Sequence, residues 1–106
     1  MDDCDGVFLS VDVDVVDPGM APGTGTPEPG GLTGRQLLDA VRRIAMTVPL
    51  AGIDVVEVSP PYDHAEVTAF LGNRVVLEAL SGTAWRRREL AGERLRQPDA
   101  PLLEGR

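Results

Sequence analysis

The chain has 106 residues, with 10 basic against 17 acidic side chains, and its net charge of −7 argues against a nucleic-acid partner, which would call for a basic patch. One cysteine, Cys4, excludes both a disulfide framework and a metal site built on thiolates. No apolar run approaches the roughly 20 residues of a membrane span, and the start, MDDCDG, is acidic where a secretory signal is basic, so the expectation is no membrane partner and a cytoplasmic location.

Residues 7–11, VFLSV, form an apolar run broken only by Ser10, which predicts a strand buried on both faces. Three aspartates follow, Asp12, Asp14 and Asp17, and then a loop over residues 18–31 made almost wholly of Gly, Pro, Thr and Ala. A helix is expected over residues 33–47. Thr33 is its natural N-cap, Leu37, Leu38, Val41, Ile44 and Ala45 recur at helical spacing, and Arg35, Asp39, Arg42 and Arg43 fall on the other side. Pro49 marks its end.

Residues 51–58, AGIDVVEV, read as a second strand closed by Ser59-Pro60-Pro61. Asp63 and Glu66 have the spacing of a capping box and predict a long helix to about Ser81. Its apolar positions, Ala65, Ala69, Val76, Ala79 and Leu80 among them, predict a helix packed into a core on most of its surface. From residue 83 the chain is charged. Its first part is expected to extend the helix with Arg86 to Arg88 on a solvated face, and the last ten residues are expected to be disordered.

Strand, helix, strand, helix at these lengths is an α/β pattern, a βαβα unit of a parallel sheet. Ligands of such sheets bind at the carboxyl ends of the strands. The aspartates after Val11 and Glu57 at the end of the second strand both fall there. Two strands also leave open edges and faces, so the unit reads as part of something larger.

In a strand, residues i and i+2 point to one face, which predicts that Asp12 and Asp14 project together. Adjacent carboxylates repel unless a cation neutralises them, and hard ions such as Mn²⁺ or Mg²⁺ suit carboxylate oxygens. The plain alternative is one aspartate capping a turn and the other solvated. An EF-hand loop fails on Val16 and Asp17, where it needs a ligand and a glycine. A haloacid-dehalogenase-type phosphatase fits VFLSVDVDVV, but needs an early helix and a later lysine; the chain has a proline-rich loop and no lysine.

The stretch SVDVDVVDPGMAPGTGTPEPGGLT resembles the signature of the ureohydrolase superfamily of arginases and agmatinases, and GIDVVEVSPPYDHAEVTA resembles its agmatinase branch. The resemblance covers residues 7–80. It implies that residues 1–82 are the C-terminal part of an arginase/deacetylase-like three-layer α/β/α domain, with residues 83–106 as a charged tail. It further implies a binuclear Mn²⁺ centre with Asp12 and Asp14 as ligands, and Glu57 orienting the guanidinium of a small guanidino substrate. Thr24 and Thr26 would stand beside the metals, contacting a ligand or substrate or bracing the loop. The implied reaction releases urea and an amine, in a protein that is a homo-oligomer at full length.

Asp17 is expected to fix the turn with Pro18, as Asp-Pro pairs do, and glycines 23, 25, 30 and 31 to allow backbone geometry that a bulkier residue would resist; by the resemblance, His64 is no metal ligand and packs or makes a supporting hydrogen bond. The family draws its other metal ligands from upstream Gly-Gly-Asp-His and Asp-Ala-His-x-Asp segments, which this chain lacks together with the upstream proton-transfer histidine. No catalytic residue is therefore expected within the chain. Two readings stand: a portion of a manganese ureohydrolase, inactive by itself, or a non-catalytic remnant that binds a divalent cation weakly or pairs with another chain. The first is preferred.

Overall fold

The computed structural model describes residues 4–96. Strand β1 (Val7–Asp12) runs parallel to β2 (Leu50–Val56), and the connection between them carries helix α1 (Gly34–Thr47). Helix α2 (Val67–Arg96) follows β2. The register pairs Val11 with Val55 and Asp12 with Val56, so both strands end at the same edge. The α/β class and the βαβα order match the expectation. The predicted disorder over the last ten residues lies outside the described residues.

Helix α1 begins as its sequence dictates. The Thr33 hydroxyl accepts the Gln36 N–H at 3.0 Å and the Gln36 side chain accepts the Thr33 N–H at 3.0 Å, a reciprocal capping box. Leu37, Leu38, Val41 and Ala45 are buried, but Ile44, predicted on the same stripe, is exposed. The core joins Leu37, Leu38 and Val41 to Val11, Val16, Ala21, Val75 and Ala79, with Leu9, Ile53, Val55 and Leu71 packed against it.

Both helices pack on one face of the sheet, so β1 is not buried on both sides as predicted. Phe8 is 64% exposed, and exposed Ser10 donates to Asp54 Oδ1 at 2.6 Å across the strands. The apolar run of residues 7–11 suits a strand covered on both faces, and this chain supplies one cover.

Helix α2 likewise packs along a single stripe. Thr68, Gly72, Val75, Ala79 and Gly82 are buried at three- and four-residue spacing, while Phe70, Val76, Leu77 and Leu80 are exposed. The stripe is of small residues because the helices approach closely. A Cβ on Gly82 would lie 2.7 Å from Ala45 Cβ and 2.8 Å from the Arg42 carbonyl oxygen. The helix also starts later than its sequence suggests. Ala65 (φ 49°) and Glu66 (φ 62°) are left-handed, which excludes them from an α-helix and leaves Glu66 without a capping-box role. Past Ser81 the helix continues unbroken to Arg96.

Arg42, placed by its spacing on the outer face, turns toward α2. Its Nε donates to Glu78 Oε1 at 3.0 Å, and Arg74 Nε donates to Glu78 Oε2 at 2.7 Å. Glu78 is buried, and a buried carboxylate requires such partners. The Arg74 hydrogen bond, opposed by burial and reinforced by Arg42, holds the Glu78 carboxyl below its ordinary value of 4.5.

Two outcomes follow. Gly82→Ala gains about 1 kcal/mol in helix propensity but meets a backbone carbonyl that cannot easily yield, at a cost of about 1–3 kcal/mol; the net loss should appear as a lower urea midpoint. Because the folded pKa of Glu78 is depressed, its stabilisation is complete above 4.5 and is lost as pH falls through the lower folded value. Glu78→Gln should therefore flatten the acid limb of the urea midpoint plotted against pH.

Candidate metal centre

Asp12 is the last residue of β1, opposite Val56, and the chain beyond it tightens into a 3-10 turn over Val13–Val15. Asp12 caps that turn, its Oδ1 accepting the Asp14 N–H at 3.1 Å. Asp14 therefore does not reach Asp12 by strand alternation, because the strand has already ended. The turn folds it back beside Asp12, held from below by Val13 and Val16, which are 0% and 1% exposed. Burial raises the pKa of Asp12; the Asp14 N–H opposes this, while the carboxyl of Asp14 and the charge of Glu57 add to it. Asp12 and Asp14 stand as a pair at the edge where both strands end.

Glu57 follows β2 directly and has a left-handed backbone, φ 71°. A non-glycine residue held there carries strain of about 1–3 kcal/mol, a cost that concentrates at functional sites. Its side chain is exposed, on the same edge as Asp12.

The loop after the aspartates is closed at its base by Asp17, as the Asp-Pro reading expects. Asp17 Oδ1 accepts the Gly19 N–H at 2.8 Å and Oδ2 the Gly30 N–H at 2.9 Å, and these donors hold its carboxyl below the ordinary 3.8. Val16 and Leu32 form a parallel bridge beside it. Gly31 is required there, since a Cβ would lie 2.5 Å from the Val15 carbonyl oxygen. Gly30 is required by its φ of 87°.

The two loop threonines part company. Thr26 is exposed and its Oγ1 donates to Asp14 Oδ2 at 2.8 Å, so it orients one carboxylate of the pair. Thr24 is 2% exposed, and its hydroxyl has no hydrogen-bond partner among the described residues. For His64, expected to pack or to make a supporting hydrogen bond, the structure shows no packed side chain and a hydrogen bond only from its backbone. Its side chain is exposed, and its N–H donates to Asp63 Oδ1 at 2.9 Å. Left-handed Ala65 and Glu66 follow it, so His64 stands ahead of the helix rather than inside it.

The structure thus brings together Asp12, Asp14 and Thr26, while Glu57 follows β2 at the same sheet edge. Among the described residues no group of three or more His, Cys, Asp or Glu side chains is placed to hold a metal ion. In donor type the pair fits a hard divalent cation, for which it would supply part of a coordination shell. Missing from the sequence reading were Thr68 and Ser59, which hold the loop from the far side. A lone threonine at a buried position of an apolar helix was the available signal.

The sequence model of the arginase family matches residues 1–82. Proclavaminate amidinohydrolase of Streptomyces clavuligerus is 51% identical over 74 residues, which are 70% of this chain and 23% of that protein. Agmatinase of Bacillus subtilis (strain 168) is 47% identical over 77 residues, 72% of this chain and 27% of that enzyme. The crystal structure of formimidoylglutamase from Bacillus subtilis superposes with a TM-score of 0.74 at 43% identity, covering 78% of this chain and 26% of that one. The chain spans about a quarter of the length of the curated relatives it matches. With a family match over most of its residues and the same fold at this identity, the chain belongs to the arginase family.

Proposed function

We propose that this chain is the part of a manganese-dependent ureohydrolase that supplies the Asp12–Asp14 carboxylates and the guanidinium-binding Glu57. The observation that carries the reading is the placement of these residues at one sheet edge: Asp12 at the end of β1, Asp14 folded back beside it by the 3-10 turn, and Glu57 just beyond β2. Asp12 and Asp14 would hold manganese, with Thr26 fixing the orientation of Asp14. When bound, the ions supply the Lewis acidity that makes water nucleophilic near neutral pH. The Glu57 carboxylate would accept paired hydrogen bonds from a guanidinium, the planar fork that best matches it.

The substrate class on this reading is a small guanidine, agmatine-like, cleaved to urea and an amine. The names of the relatives span agmatine, proclavaminate and formimidoylglutamate chemistry at similar identity, so residues outside this segment would choose among substrates. The isolated chain would not turn over, because two carboxylates hold no ion in a defined geometry. Exposed Phe8, Phe70 and Leu80 mark the apolar surface that the rest of a domain of the relatives' size would cover.

Two assays test this. The 106-residue chain in excess Mn²⁺ should release no urea from agmatine, and robust turnover would overturn its assignment as a partial site. Grafted in place of the matching segment of Bacillus subtilis agmatinase, residues 7–80 should support manganese-dependent urea release. In that chimera Asp12→Asn or Asp14→Asn should lower activity by more than about 100-fold, beyond the loss typical of residues behind the ligands. Glu57→Gln should lower kcat/KM by roughly 10- to 100-fold, the worth of a hydrogen bond to a charged group. Retention of most activity by the aspartate variants would make the pair structural.

A further inference from the structure

The loop bearing Thr24 and Thr26 is closed at its base by Asp17, but its middle is held by something else. Gly23 donates its N–H to Thr68 Oγ1 at 2.8 Å in a buried contact, and its carbonyl accepts the Ser59 N–H at 2.6 Å. Both backbone polar groups of one loop residue are thus bound by the segment that follows β2. Thr68 is wholly buried in the first turn of α2. Its own N–H donates to Asp63 Oδ1 at 3.0 Å, and Asp63 Oδ2 accepts the Ala69 N–H at 3.1 Å. These bonds satisfy the N–H groups that a helix start leaves open. Partial burial opposes ionisation of Asp63, and the donors of Thr68, Ala69 and His64 outweigh it, so its carboxyl stays below the ordinary 3.8.

The contact is close enough to exclude a side chain at Gly23. A Cβ there would lie 2.7 Å from Asp63 Cγ and 2.8 Å from Asp63 Cβ. Asp63 has little freedom to retreat, since three backbone N–H groups grip its two oxygens.

We infer that Thr68 is a positioning residue: through Gly23 it latches the threonine loop to the β2–α2 connection and so sets the Thr26–Asp14 side of the site against Glu57. The inference rests on the proposed reading of Asp12, Asp14 and Glu57 as one site. Ser59, the second grip on Gly23, lies two residues after Glu57 and three residues beyond the end of β2. The loop that orients Asp14 and the residue that would receive the guanidinium therefore share one anchor. Packing alone does not need the hydroxyl, since valine fills the same shape. The hydroxyl is the acceptor for a buried N–H, which without it must reach water by moving the loop.

The test uses the ¹⁵N-labelled 106-residue chain, amide hydrogen exchange and Mn²⁺ alone as a paramagnetic probe. Thr68→Val should speed exchange of the Gly23 amide by about tenfold or more, as loss of a buried hydrogen-bond partner implies. Mn²⁺ should broaden the amides of residues 13–15 in both proteins, and the Thr26 amide in the wild type but much less in Thr68→Val. Thr68→Ser, which keeps the hydroxyl, should restore both signals. Unchanged Gly23 exchange, unchanged Thr26 broadening, or Thr68→Ser behaving as valine would each overturn the latch. Absent broadening at residues 13–15 in the wild type would leave the metal reading to the agmatinase chimera, while Gly23 exchange still decides the latch. Should Thr68→Val fail to fold, Gly23→Ala parts the same contact through Asp63 and should likewise release Thr26.

Discussion

The parallel pairing of β1 and β2 is the constraint from which the rest of the molecule follows. With Asp12 opposite Val56, the residues beyond each strand leave the sheet at one edge. A parallel pair needs a crossover, and α1 supplies it by burying Leu37, Leu38 and Val41 against Val11. The crossover keeps both strand ends on the same side. Charges that would be costly in the core are thereby gathered where the backbone is already turning toward solvent.

Aspartates do most of the local building at that edge. Asp12 caps the 3-10 turn, Asp17 binds two N–H groups across the base of the loop, and Asp63 binds three at the start of α2. Each use answers the same need, since turns and helix starts leave donors without partners. Asp17 and Asp63 are stabilised in their charged form by those donors. Asp12 is not: burial and the neighbouring charges of Asp14 and Glu57 outweigh its one backbone donor. That imbalance separates Asp12 from the two aspartates whose charge is already matched.

Much of this was legible in the sequence, and for local reasons. Thr33 with Gln36, the apolar spacing of Leu37, Leu38 and Val41, and the Asp17-Pro18 turn all act within a few residues. So did the arginase-family signature, which is written in consecutive residues around Asp12 and Glu57. The failures were contacts between distant segments or backbone states that propensity does not forecast. Arg42 was placed on the solvent side by its spacing, yet it reaches Glu78, 36 positions away. Asp63 and Glu66 have capping-box spacing, yet left-handed Ala65 and Glu66 delay the helix and leave Asp63 to cap it from outside.

The sequence by itself determined the element order, the start of α1, the two acidic strand ends and the family. These follow from neighbouring residues, hydrophobic period and a contiguous signature. Tertiary structure alone decided how Asp14 meets Asp12, because a 3-10 turn anchored by buried Val13 and Val16 replaced the strand that alternation assumed. It alone decided that Gly23 lies against Asp63 and Thr68, residues 40 and 45 positions away along the chain. Burial of Val13 and Val16 decides the first, and the buried Gly23 N–H decides the second. A buried N–H must find an acceptor wherever the packed chain brings one, and the distance along the sequence does not say where that is.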